Sequence, residues 1–158
     1  MKTVVQRVQR AEVRLVVGDS AGEGISVARI ERGVLLLCGV ERGDSEADAD
    51  ITARKIAALR IFPGRTPMDL TLADVRGSCL VVSQFTLAAT LAKGNRPSFE
   101  PAEAPGRAEA LYLRVAEQLR AAGLPVETGR FGADMQVELV NDGPVTFLVF
   151  TRNGALER

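Results

Sequence analysis

The chain has 158 residues, 46% hydrophobic and 25% charged, with Lys+Arg and Asp+Glu equal at 20 each. That is one globular domain with enough apolar residues for a core, and its balanced charge excludes a global basic field, so any nucleic-acid contact is local or uses few phosphates. Histidine and tryptophan are absent and aromatics make up 4%, which excludes imidazole-based catalysis and a broad stacking platform for single-stranded RNA.

Met1 to Val5 runs straight into a strand-like pattern, with no signal or transit peptide, and no window approaches the ~18 apolar residues of a membrane span; a cytoplasmic protein is expected. Thr3 to Gln9 alternates, and Val13, Leu15 and Val17 repeat the period of two, giving two half-buried strands. Ile25 to Val27 is a further strand, and the unbroken apolar run Val34 to Val40 is one buried on both faces. A first helix starts near Asp44-Ser45, with Ser45 and Asp48 spaced as a capping box and Ile51, Ile56 and Leu59 as its core face. It ends at Ile61-Phe62-Pro63-Gly64. Ser78 to Leu87 reads as a buried strand and Pro101 to Gly106 as a loop. Ala108, Leu111, Tyr112, Val115 and Leu119 fall at helical spacing, closed by Gly123 and Pro125. Val126 to Phe131, Met135 to Val140 and Val145 to Phe150 complete a strand-rich end, and Thr151 to Arg158 is a polar, loose tail. The fold class is α/β: a mixed, mostly antiparallel sheet or partly closed β-barrel with two main helices packed outside. Residues 1–150 form the single domain. No glycine-rich phosphate loop follows the first strand, which disfavours a doubly wound nucleotide fold.

Chemistry concentrates in a few segments. Cys38 and Cys79 sit in apolar runs and read as small core residues, because no histidine or CxxC accompanies them. Asp48 and Asp50 read as a solvated helix start and Asp69 and Asp74 as loop residues; none has a metal-ligand spacing. In Ser83-Gln84-Phe85-Thr86-Leu87, a strand end with hydroxyls satisfying their own backbone stands beside a functional reading. There the N–H groups around Phe85 and Thr86 form an oxyanion site. Thr86 lacks a base, since Lys93 is the nearest lysine, so a positioning role is preferred to nucleophilic attack. Lys93-Gly94-Asn95-Arg96-Pro97 is either a solvated loop or a local phosphate clamp. Arg7 is an exposed strand residue or a multi-donor brace. Phe131 and Met135 are core or pocket lining. Asn141-Asp142-Gly143-Pro144-Val145-Thr146 is a hairpin turn followed by proline, or an element whose carbonyls bind an ammonium group.

Taken together, Val4-Val5-Gln6-Arg7-Val8, Ser83 to Leu87, Lys93-Gly94-Asn95-Arg96-Pro97-Ser98-Phe99, Gly129-Arg130-Phe131-Gly132-Ala133-Asp134-Met135 and Asn141 to Thr146 resemble the D-aminoacyl-tRNA deacylases, in the family's order from Met1 to about Phe150. The resemblance implies hydrolysis of the ester joining a D-amino acid to tRNA, with glycyl-tRNA as a secondary substrate and no cofactor or metal. It implies a homodimer with active sites at the subunit interface, where a cis Gly143-Pro144 enters the partner's pocket, accepts the α-amino group and excludes L side chains. Arg7 braces that element, Phe131 and Met135 line the pocket, Ser83, Gln84, Phe85 and Thr86 hold the terminal adenosine and ester, and Lys93 and Arg96 hold the tRNA end. In this reading the free 2′-hydroxyl of the terminal ribose is expected to activate or orient the water. Other readings stand beside this one: a related editing module removing mischarged L-amino acids, a non-catalytic RNA-binding dimer, and a hydrolase with Thr86 as nucleophile.

Overall fold

A computed structural model of the chain describes residues 1–16, 24–92 and 94–157. Its elements are β1 (Lys2–Leu15), β2 (Ile25–Ile30), β3 (Gly33–Gly39), α1 (Glu46–Ala58), β4 (Ser78–Ser83), a 3-10 turn (Phe85–Ala88), α2 (Pro105–Ala121), β5 (Val126–Thr128), β6 (Met135–Arg152) and β7 (Ala155–Leu156). The strands form one mixed sheet in the order β5-β4-β3-β1-β6-β7, with β2 added to β1, curled into a half-barrel with two helices. The expected fold class is the observed one.

The two predicted N-terminal strands are one. Alternation persists through β1, so its first half pairs with β3 and its second with β2, while β6 lines the other edge along both halves. Val17 lies outside the described residues. A register shift between Val8 and Arg10 adds one residue to β1 and changes which face is buried. Val5 and Val8 face opposite sides by simple alternation, Val5 in the helix-side core and Val8 in the curl, and the extra residue places Ala11 and Val13 on Val8's side.

β3 and β4 pair in parallel and are covered on both sides, which is why their sequences are unbroken apolar runs. Val34, Leu36, Cys38, Cys79 and Val81 meet the helices, and Leu35, Leu80 and Val82 fill the curl. α2 buries the face its spacing predicts, Ala108, Leu111, Tyr112, Val115 and Leu119; each large apolar side chain contributes roughly 1.5–3 kcal/mol. Proline at its start needs no intrahelical donor, and Gly123 at φ +83° ends it in the left-handed conformation.

Five local expectations are corrected. The strand from Ser78 stops at Ser83, where the chain tightens into the 3-10 turn; β5 is shorter than expected, ending at Thr128. Asp142-Gly143 is not a hairpin turn: β6 runs through it, paired with β1 on both sides. The tail from Thr151 is not loose. Thr151 is buried, Thr151 and Arg152 finish β6, and β7 folds back onto them. Finally, Asp48 is fully buried rather than solvated. Its Oδ2 accepts Ser45 N and Ser45 Oγ, each at 2.8 Å, and its Oδ1 accepts Gly154 N at 2.8 Å. Nearby, the Met1 ammonium donates to Asp44 Oδ1 at 2.6 Å and to Thr151 O. Both ends of the chain are thus tied to the start of α1 through buried carboxylates.

Burial pushes the Asp48 carboxyl up, but the hydrogen bonds from Gly154 and Ser45 outweigh it and hold the group below the usual carboxylate range. Its folded value thus lies under the unfolded ~3.9, so its stabilisation is complete above that pH and is lost as pH falls through the folded value. Asp48→Asn is expected to cost about 2–3 kcal/mol near pH 7, from charge-assisted hydrogen bonds weakened or lost. In urea denaturation the gap from wild type narrows as pH drops below ~3.9; an unchanged gap contradicts the assignment.

Candidate active site

An open cavity of about 510 Å³ lies beyond the C-terminal end of β4, against the start of α2 and the turn between β5 and β6. Crevices outside the carboxyl ends of parallel strands are the usual ligand sites of such sheets. The cavity brings together Ser83, Gln84, Phe85, Phe131 and Met135.

The Ser83–Phe85 wall is held by the sheet behind it. Gln84 N donates to Cys38 O at 2.8 Å. Gly39 lets the 3-10 turn approach closely: a Cβ there would lie 2.7 Å from Leu87 Cβ and 3.0 Å from Gln84 O. The first hydrogen bond of the turn is Leu87 N to Gln84 O at 3.2 Å, so the N–H groups of Phe85 and Thr86 precede it and have no acceptor within the turn. Gln84 Nε2 donates to Thr86 Oγ1 at 2.6 Å. Thr86 is exposed beside the cavity but does not line it.

The opposite wall depends on a tight turn. Gly132 takes φ +70°, Phe131 stacks on buried Tyr112 with centroids 5.7 Å apart, and Met135 Sδ accepts Arg130 N at 3.4 Å. The lining also includes two carboxylates that are not among the expected site residues, Glu103 and Asp134. Glu103 accepts Ala104 N at 2.8 Å and pairs with Arg107 at 3.4 Å, so it is engaged at the entry to α2. Neither residue follows a spacing rule: Glu103 lies in the loop from Pro101 to Gly106 and Asp134 in the turn before Met135.

Gly143, Pro144 and Arg7 stand apart from this cavity. Gln6 pairs with Thr146 and Val8 with Asn141, so Arg7 alone faces the four residues Asp142 to Val145. The surplus bulges outward with Gly143 and Pro144 exposed and their peptide bond cis. A Cβ on Gly143 would collide with Val145 N and come within 2.8 Å of Val145 Cγ2, so only glycine fits this path unshifted. Arg7, 9% exposed, donates from Nε to Asp142 O at 2.9 Å, pairs with Asp142 Oδ2 at 3.1 Å, and donates from Nη1 to Ile61 O. Its guanidinium lies 5.9 Å from the Phe62 ring centroid. It is therefore not an exposed strand residue.

Arg96 is exposed in the loop whose base is the Thr90–Ser98 bridge, and Phe99 beyond it meets Phe85 edge-on at 5.1 Å. Lys93 lies outside the described residues. Burial pushes the Cys38 and Cys79 thiols up to about 12, which leaves no thiolate nucleophile in either. Among the described residues no group of three or more His, Cys, Asp and Glu is placed to hold a metal ion.

Comparison with known proteins gives this arrangement its family. The profile of D-Tyr-tRNA(Tyr) deacylase matches residues 4–150. The D-aminoacyl-tRNA deacylase of Paracoccus denitrificans is 56% identical over 147 residues, covering 92% of this chain and 94% of the relative. That of Anaeromyxobacter dehalogenans is 53% identical over 153 residues, covering 96% and 98%. The solved structure of a protein named c-Myc DNA Unwinding Element Binding Protein is 37% identical with a TM-score of 0.85, over 96% of this chain and 99% of that one. This chain belongs to the D-Tyr-tRNA(Tyr) deacylase family.

Proposed function

We propose that the chain is a D-aminoacyl-tRNA deacylase that hydrolyses the ester between a D-amino acid and the 3′ end of tRNA, with glycyl-tRNA as a secondary substrate. The observation that carries this is the Ser83–Phe85 segment standing at an open cavity of about 510 Å³ in a chain that matches the family over nearly its whole length. The volume falls within the roughly 300–1,000 Å³ of small-molecule sites. It suits a terminal adenosine with its aminoacyl group better than a helical stem.

Chemistry here needs little from side chains. The aminoacyl ester is already activated, and water attacks its carbonyl carbon. The oxyanion so formed is met by the N–H groups of Phe85 and Thr86, which the turn leaves unused. The C–O bond to the ribose then breaks and the ribose oxygen takes a proton. The neighbouring 2′-hydroxyl of the substrate orients the water and relays that proton from the water to the ribose oxygen, a role that falls to the substrate in a chain without histidine. Thr86, with no base beside it and its oxygen accepting from Gln84, serves in positioning rather than as nucleophile.

Chirality is read by Gly143 and Pro144. In the proposed homodimer the exposed bulge of one protomer enters its partner's cavity, where its carbonyls accept the α-ammonium and its backbone occupies the space an L side chain would need. Two features support this arrangement. The bulge does not line its own cavity, and it is followed by Leu148, exposed at 63%, an apolar side chain suited to burial against a second copy. Arg96, with Lys93, meets the phosphates of the acceptor end, and the protein acts in the cytoplasm. A purely nucleic-acid-binding role, such as the name of the 37%-identical protein gives to that relative, fits poorly with a net charge of +0. An editing module for L-aminoacyl groups has no use for a Gly-Pro wall.

Single-turnover deacylation of D-Tyr-tRNA and L-Tyr-tRNA, side by side, is expected to clear the D-ester and spare the L-ester. Loss of L alone would favour the editing module, and loss of neither a binding protein. Substrate ending in 2′-deoxyadenosine is expected to be cleaved at least about 100-fold more slowly, the lower range for a lost acid–base group; an unchanged rate removes the 2′-hydroxyl from the mechanism. Lys93→Ala with Arg96→Ala is expected to weaken tRNA binding equally for all D-aminoacyl groups and to flatten its salt dependence. A shift in amino-acid preference would contradict a phosphate role.

A further inference from the structure

We infer that Asn141 is a second positioning residue for chiral discrimination, tying down the base of the Gly143–Pro144 bulge where Arg7 holds its flank. The inference rests on the proposed role of that bulge. Four residues of β6 opposite one of β1 break the ladder at this point, and such an insertion strips nearby backbone groups of their strand partners. The Asn141 side chain spans the gap. Its Nδ2 donates to Arg7 O at 2.9 Å on β1 and to Val145 O at 3.1 Å on the far side of the insertion. Both amide hydrogens are used, one across the strands and one across the mouth of the bulge. The amide stands in for two ladder bonds.

Arg7 cannot do this alone. Its own bonds reach Asp142, on the incoming side of the bulge, and Ile61, beyond the end of α1. None reaches Val145, where the chain rejoins the sheet. Asn141 is the side chain that ties down the outgoing side at Val145, one residue before Thr146 rejoins the ladder opposite Gln6, and without it the four-residue insertion is held at its outgoing end only by that ladder. A wall that excludes by shape loses discrimination when it yields, whereas binding of the D-substrate by carbonyl acceptors tolerates more movement. Only a donor serves here: aspartate at this position would aim a carboxylate at two carbonyl oxygens.

The test is single-turnover cleavage of D-Tyr-tRNA, L-Tyr-tRNA and glycyl-tRNA by wild type, Asn141→Ala, Asn141→Asp and Gly143→Ala, with urea midpoints for each. The expected result for Asn141→Ala is a D-to-L rate ratio reduced about tenfold, the scale of one net hydrogen bond, chiefly because the L-ester becomes a substrate. Asn141→Asp should lose more. A merely structural role would lower stability and slow all esters together, and an unchanged D-to-L ratio overturns the inference. If Asn141→Ala does not fold, Asn141→Ser, which keeps one donor, is read by the same ratio. If wild type prefers D and Gly143→Ala erases the preference while Asn141→Ala keeps it, the inference alone fails. If wild type shows no preference, the proposed role of the bulge fails with it.

Discussion

Everything that positions the site hangs on the pairing of β1 with β6. It is the longest ladder in the sheet, from Lys2 opposite Phe150 to Leu15 opposite Met135. One end carries the outgoing wall of the cavity at Met135, and the middle carries the Gly143–Pro144 bulge. A single ladder therefore sets both features in register, so a slip along it would move the two together. The interruption opposite Arg7 is tolerable because the sheet continues on either side, and because Arg7 and Asn141 satisfy the groups it frees.

The helix side of the sheet serves the same end. β3 and β4 are buried on both faces, so their C-terminal ends are rigid platforms rather than flexible edges. From the first, Cys38 and Gly39 hold the turn that carries Phe85 and Thr86. From the second, Ser83 opens the cavity. The buried carboxylates Asp44 and Asp48 lock the two chain ends against α1. This keeps the final strand, and with it the ladder to β1, from fraying. A pair of buried acids thus acts on the site without touching it.

Much of this is legible in the sequence because the signals are periodic. The α2 face and the apolar runs of β3 and β4 follow directly from spacing. Other parts are legible only by resemblance, since Ser83 to Thr86 and Gly143-Pro144 are too short to carry a pattern. The departures share a cause: distant partners overrule local chemistry. Asp-Gly is a turn signal, but β1 holds both flanks of Asp142-Gly143 in one sheet. Thr151 to Leu156 is polar enough to be a tail, yet Met1 and Asp48 capture it. Asp48 reads as solvated because its capping partner, Ser45, is local while the donor that completes its shell, Gly154, lies 106 residues away. Asn141 stands in one of the segments that carry the resemblance, but its two hydrogen bonds show only once Arg7 and Val145 are side by side.

If the cavity of one protomer is completed by the bulge of another, subunit complementation will reveal it. A protomer altered in the cavity wall, Gln84→Ala with Phe85→Ala, is combined with one altered in the bulge, Gly143→Ala with Pro144→Ala, and the mixed dimer is isolated by differential tags. With a cross-subunit site, one of its two cavities has a native wall and faces a native bulge. D-Tyr-tRNA cleavage is therefore expected at about half the wild-type rate per dimer, with both altered homodimers inactive, since one native site of a symmetric pair is restored. A mixed dimer as inactive as its parents would mean that each site is built within one chain, and would overturn the cross-subunit arrangement.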